Sequence, residues 1–168
     1  MSSEFAALTE RIRDALTDVE RTVRRAEELR DKAQRTSDDG YWDGVALNLH
    51  GFYNGLERIF EDIARTVDVN VPSGPAWHQD LLRRMSIAIS DLRPAVIRSE
   101  TRRCLDEYRD FRHIVRHVYA FNLRPLRVQE LANESRACYG SVSRDLNEFI
   151  DFLERMAQAD ETLSESDE

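Results

Sequence analysis

At 168 residues the chain has room for one domain with a sizeable core. Its net charge of −8 argues against indiscriminate nucleic-acid binding, and no apolar run approaches the ~18 residues that a membrane span needs. Met1-Ser2-Ser3-Glu4-Phe5 lacks the basic-then-apolar order of a secretory leader, and Cys104 and Cys138 form no C-x-x-C pair. Together these predict a cytoplasmic protein with reduced thiols and no membrane partner.

With only 6 Gly and 4 Pro, long helices are expected. Phe5, Leu8, Ile12, Ala15, Val19, Val23, Ala26, Leu29 and Ala33 recur at steps of three and four, which predicts a helix from Ser3 to Ser37. Asp38-Asp39-Gly40 ends it. Val45, Leu49, Phe52, Leu56, Ile59 and Ile63 give a second helix, Trp42 to Val67. Tyr53, Phe60 and Val67 widen its stripe, as suits a central helix with neighbours on two sides. Two prolines and a glycine make Asp68 to Pro75 a loop. A shorter helix is predicted from Trp77 to Ile89, and Pro94 marks another break.

The fourth element, Ile97 to Tyr119, turns Ile97, Cys104, Tyr108, Phe111, Val115 and Val118 inward and stops before Asn122 to Pro125. The last helix runs from Leu126 to Met156 on Leu131, Leu146, Phe149, Ile150 and Leu153. No segment alternates with period two, and the short connections imply antiparallel neighbours. The expected fold is all-α: an up-and-down bundle of four to five helices occupying residues 1–157 as one domain. Residues 158–168 form an acidic tail, expected to be disordered.

The chemistry-bearing stretch is Arg112-His113-Ile114-Val115-Arg116-His117-Val118-Tyr119, in which Arg112, His117 and Tyr119 form R-x4-H-x-Y. A cation that can hold a phosphate and an imidazole that can move a proton are the minimum parts for cutting RNA without a metal. Between Arg98 and Arg127, eight arginines face four acids, so this stretch carries +4 and the remainder −12. Lys32 is the only lysine, so a compositional preference for arginine accounts for part of that excess.

Helix geometry constrains the motif. At about 100° per residue, Arg112 and Tyr119 share a face, whereas Arg112 and His117 are separated by roughly 140°. Either the helix unwinds, or His117 faces the equivalent helix of a second subunit at a two-fold interface.

The motif resembles that of HEPN-domain ribonucleases, and most closely the HepT-like toxins. Arg112, His117 and Tyr119 match position by position, and His113 is the polar residue that commonly follows the motif arginine. Pro72-Ser73-Gly74-Pro75-Ala76-Trp77-His78 followed by Leu81-Leu82 also looks like this branch, and with the helix order the resemblance covers roughly residues 5 to 157. It implies a homodimeric, metal-independent endoribonuclease toxin with no cofactor. The RNA substrate, messenger or transfer RNA, would supply its own 2′-hydroxyl as the nucleophile. His117 would act as general base or acid, Arg112 would stabilise phosphoryl charge, and His113 and Arg116 would contact phosphate or RNA. The resemblance also implies an MNT-type nucleotidyltransferase antitoxin that neutralises the toxin by AMPylation of Tyr119.

Taken singly, these residues have plainer explanations. Arg112 would pair with Asp110 or Glu107 on the surface, His117 would be a half-buried hydrogen-bonded histidine, and Tyr119 would be interface packing. His113 and His117 sit at i and i+4, but Asp110-x-x-His113 stands alone where a dinuclear bundle needs several such pairs, so no metal is expected. His50 and His78 have no partner identifiable from sequence, and Trp77 reads as a packing anchor. Two other classes compete: a non-catalytic HEPN-like helical module binding nucleotide or a nucleotidyltransferase partner, and a purely structural helical adaptor.

Overall fold

The computed structural model describes residues 2–117 and 123–166. Five helices follow one another: α1 (Ser2–Thr36), α2 (Gly40–Thr66), α3 (Trp77–Met85), α4 (Ser99–His117) and α5 (Pro125–Ser166). Among the described residues there is no strand, only an isolated antiparallel bridge between Ile89 and Arg93. The all-α bundle expected from the stripes is the fold.

The predicted apolar positions of α2 are all buried, and Tyr53, Phe60 and Val67 are buried with them. That wide stripe lets α2 touch α1, α3, α4 and α5. α1 lies against α2 and α5. Its approach to α2 is close because Gly55 and Gly44 face it: a Cβ on Gly55 would lie 2.7 Å from Val19 Cγ2, and one on Gly44 2.9 Å from Leu29 Cδ1. Glycine permits helix axes to come this near, at a cost in helix propensity.

Several helix boundaries differ from expectation, three of them with a readable cause. α3 stops at Met85, because Ile89 pairs its backbone with Arg93 instead of continuing the helix. α4 begins at Ser99, where Asp145 of α5 accepts a hydrogen bond from the Arg98 backbone N–H (2.9 Å) and another from the Thr101 hydroxyl (2.6 Å). A carboxylate there meets both the unpaired N–H groups and the positive end of the helix dipole. Burial raises the Asp145 carboxyl's affinity for a proton, but these bonds and those from Arg144 and Arg98 outweigh it and hold the group below its ordinary range. α5 continues past Met156 to Ser166, into the segment expected to be a disordered tail; Ala157, Gln158, Ala159 and Glu161 are good helix formers.

The expectation of reduced thiols is corrected. Cys104 of α4 and Cys138 of α5 are joined in a disulfide across a sequence separation of 34, with their Cα atoms 6.0 Å apart. No C-x-x-C spacing announces a bridge that is made by two packed helices. Reduction is expected to remove about 3–4 kcal/mol in the chain-entropy account of such a loop. The midpoint should then fall by about 10 °C in a thermal melt with dithiothreitol. A Cys104→Ser, Cys138→Ser variant should melt at the lower temperature with or without reductant.

Candidate functional site: a polar cavity between α2, α3 and α4

The orientation of α4 is set one turn before the motif. Tyr108 stacks edge-on against Phe52 of α2 with ring centroids 4.9 Å apart, and its hydroxyl donates to the Leu131 carbonyl of α5 (2.7 Å). Arg112 lies four residues on, on the same face, and so is carried against α2. Its side chain is 13% exposed.

All three guanidinium nitrogens meet a group from α2 or α3. Nε donates to Asn54 Oδ1 (2.6 Å), Nη1 approaches His78 Nε2 (3.4 Å), and Nη2 lies 3.9 Å from Glu57 Oε1. The surface pairing with Asp110 or Glu107 does not form. Asp110 pairs with Arg109, and Glu107 with Arg127. Glu57 is buried, and its other oxygen is 2.7 Å from His78 Nδ1. An arginine only donates, so His78 Nε2 meets it with a lone pair, and the ring proton sits on Nδ1, bonded to Glu57. Trp77 stacks on the same imidazole, with centroids 3.7 Å apart.

Asn54 passes the contact along. Its amide oxygen is occupied by Arg112, so its Nδ2 donates to His50 Nε2 at 2.9 Å. His50 is thereby protonated on Nδ1, which is buried without a hydrogen-bond partner among the described residues. Burial, then the charges of Arg112 and Arg116, push His50 below the ordinary histidine range and keep it neutral.

His50, Asn54, Glu57, Arg58, Glu61, Trp77, Arg112 and Arg116 line a cavity of about 390 Å³. Of the residues singled out from the sequence, Arg112 and Arg116 therefore share one wall. His113 and His117 do not join them: both are exposed, with ring centroids 4.4 Å from each other on another side of α4. The helix is unbroken from Arg112 to His117, so the roughly 140° between them persists within one chain. Tyr119 lies outside the described residues. The arginine excess is also more local than the sequence suggests, since Arg98, Arg103, Arg109 and Arg127 are each paired with acids.

Sequence reasoning missed His50, Asn54, Glu57 and His78. A signal existed for three of them. Positions 50, 54, 57 and 61 are spaced i, i+4, i+7 and i+11, a polar stripe along a helix that is otherwise apolar on its inner side. A central helix carrying such a stripe must supply it with partners.

No helix among the described residues is long and apolar enough to cross a membrane. No curated protein and no solved structure matches the chain. Residues 44–153 match the family described as HepT-like protein, a span that takes in α3, α4, the cavity and most of α2 and α5. By that match over more than half its length, the chain belongs to the HepT-like family of the HEPN superfamily.

Proposed function

We propose that the chain is the ribonuclease toxin of a toxin–antitoxin pair, cutting messenger or transfer RNA without a metal. HepT-like membership makes a toxin-type nuclease role the family-level reading. The observation that supports the finer one is the anchored Arg112: a cation held at three nitrogens on the wall of a polar cavity, with its longest contact, to His78, exchangeable for a phosphate oxygen. His117 moves a proton as acid or base. Because it sits about 140° around the same unbroken helix, the active unit is a homodimer in which one protomer's His117 reaches the partner's phosphate. Arg116 lines the cavity and adds a second cation there, and His113 lies beside His117 as an RNA contact. An MNT-type nucleotidyltransferase neutralises the toxin by AMPylation of Tyr119, whose added charge and bulk obstruct RNA. Messenger and transfer RNA place this reading in the cytoplasm, where the Cys104–Cys138 bridge is open to reduction.

The test is RNA cleavage in excess EDTA, using protein made without an antitoxin and shown by intact mass to lack AMP. Cleavage should survive chelation and disappear in His117→Ala. One observation favours the second reading, a non-catalytic module that binds nucleotide or a nucleotidyltransferase: the partners of Arg112 already satisfy it inside one protomer. No cleavage by the unmodified protein across messenger and transfer RNA would leave that reading standing.

A further inference from the structure

RNA cleavage by the substrate's own 2′-hydroxyl needs two proton transfers, one from the attacking oxygen and one to the departing 5′-oxygen. The motif offers one imidazole for this, and within a protomer it points away from Arg112. Two other imidazoles touch residues of the cavity: His50 lines it, and His78 contacts two of its lining residues, Arg112 and Glu57. His50 is disqualified, because its Nε2 lone pair is taken by Asn54 and its remaining nitrogen is an N–H. His78 is different. Its Nε2 carries a lone pair toward the Arg112 guanidinium at 3.4 Å, a long contact that a phosphate oxygen can displace. Its Nδ1–H is fixed by Glu57 at 2.7 Å, and the ring is held by Trp77. A buried carboxylate bonded to the far nitrogen of an imidazole sets its tautomer and stabilises the imidazolium once formed.

We infer, resting on the ribonuclease reading, that His78 is the general base for the phosphate held by Arg112 and that Glu57 is its positioning residue. The 2′-hydroxyl proton passes to His78 Nε2 as the 2′-oxygen forms its bond to phosphorus. The bond from phosphorus to the 5′-oxygen breaks, and that oxygen takes a proton from the His117 that the other protomer of the proposed homodimer supplies. The products are a 2′,3′-cyclic phosphate and a free 5′-hydroxyl. The charged groups facing His78 are Glu57 from α2 and Arg112 from α4. His117 is thereby assigned as the acid.

The plainer account makes His78 only the neighbour that a buried carboxylate needs, and pH–rate profiles separate the two. Single-turnover cleavage of transfer RNA and of a defined messenger transcript is followed in EDTA from pH 5 to 9, with Tyr119 verified unmodified. Wild type should give a bell. His78→Ala should cut about 10²- to 10³-fold more slowly, lose the acidic limb, and regain at least ~10-fold on added imidazole. Glu57→Gln should be about 10-fold slower, with its acidic limb moved to lower pH because the imidazolium has lost its carboxylate. This second variant decides the matter if His78→Ala does not fold. His78→Ala within about threefold of wild type, or an acidic limb unmoved in Glu57→Gln, overturns the assignment while leaving the ribonuclease intact. Wild type that cuts neither RNA overturns the ribonuclease reading itself, and the base assignment with it.

Discussion

Changing Arg112 to alanine is expected to lower single-turnover RNA cleavage by about 10²- to 10³-fold, the usual consequence of removing one preorganised donor from developing phosphoryl charge. The loss has two sources that a second variant separates. Arg112→Ala takes away the phosphate ligand and also removes the arginine beside Glu57, 5% exposed at its side chain, leaving that carboxylate to His78 and Tyr53. Arg112→Lys restores the charge but not the planar fork that meets Asn54, His78 and Glu57 together. We therefore expect Arg112→Lys to melt closer to wild type than Arg112→Ala does, yet to remain at least ~10-fold impaired in cleavage. Equal activity in the lysine variant and wild type would show that a point charge suffices and that the network is scaffolding.

The largest effect on stability is expected just beyond the C-terminal end of α2. Arg93 and Asp68 have side chains 0% exposed, and the guanidinium donates to both carboxylate oxygens, at 2.5 and 2.8 Å. It also donates to the Ile87 and Pro94 carbonyls (3.1 and 3.0 Å), tying the segment between α3 and α4 to the end of α2. Arg93→Ala should destabilise the protein by about 3–5 kcal/mol, since it strands a buried carboxylate with Arg84 alone. An Arg93→Met, Asp68→Leu pair should recover most of that, because two apolar side chains leave no charge uncompensated.

The same cluster makes stability depend on pH. Burial raises Asp68's affinity for a proton, but Arg93 and Arg84 outweigh it and hold the carboxyl below its ordinary value of 3.8. A carboxylate depressed in the folded state contributes stability that is present above the unfolded value and is lost as pH falls through the folded one. The melting temperature should thus hold above about pH 4–5 and decline below it, with Asp145 acting in the same direction. In the Arg93→Met, Asp68→Leu variant the Asp68 share of that decline should be missing. An unchanged acid slope would locate the sensitivity at Asp145 instead.

The bundle was legible in the sequence because its stripes are simple. Every apolar position read on α2 is buried, and Leu131, Leu146, Phe149, Ile150 and Leu153 of α5 are buried as well. The candidate site was legible only in part. Arg112 stood out through its spacing to His117 and Tyr119, but its neighbours come from helices distant in sequence: Asn54 is 58 residues away and His78 is 34. Glu57 looked ordinary because carboxylates are usually solvated, and nothing local to it says that α3 will cover it. Cys104 and Cys138 were hidden for the same reason, being a pair only once α4 and α5 lie side by side. Periodicity reports which face of a helix is inward, not which residue of another helix meets it.

The bridge between Cys104 and Cys138 closes the chain into a covalent ring, and the whole of Arg112 to Tyr119 lies on that ring. A protease that nicks the polypeptide anywhere between the two cysteines leaves two pieces joined through the disulfide, which separate only under reducing electrophoresis. The chain on either side of such a cut stays joined at Cys104 and Cys138, whose Cα atoms are 6.0 Å apart.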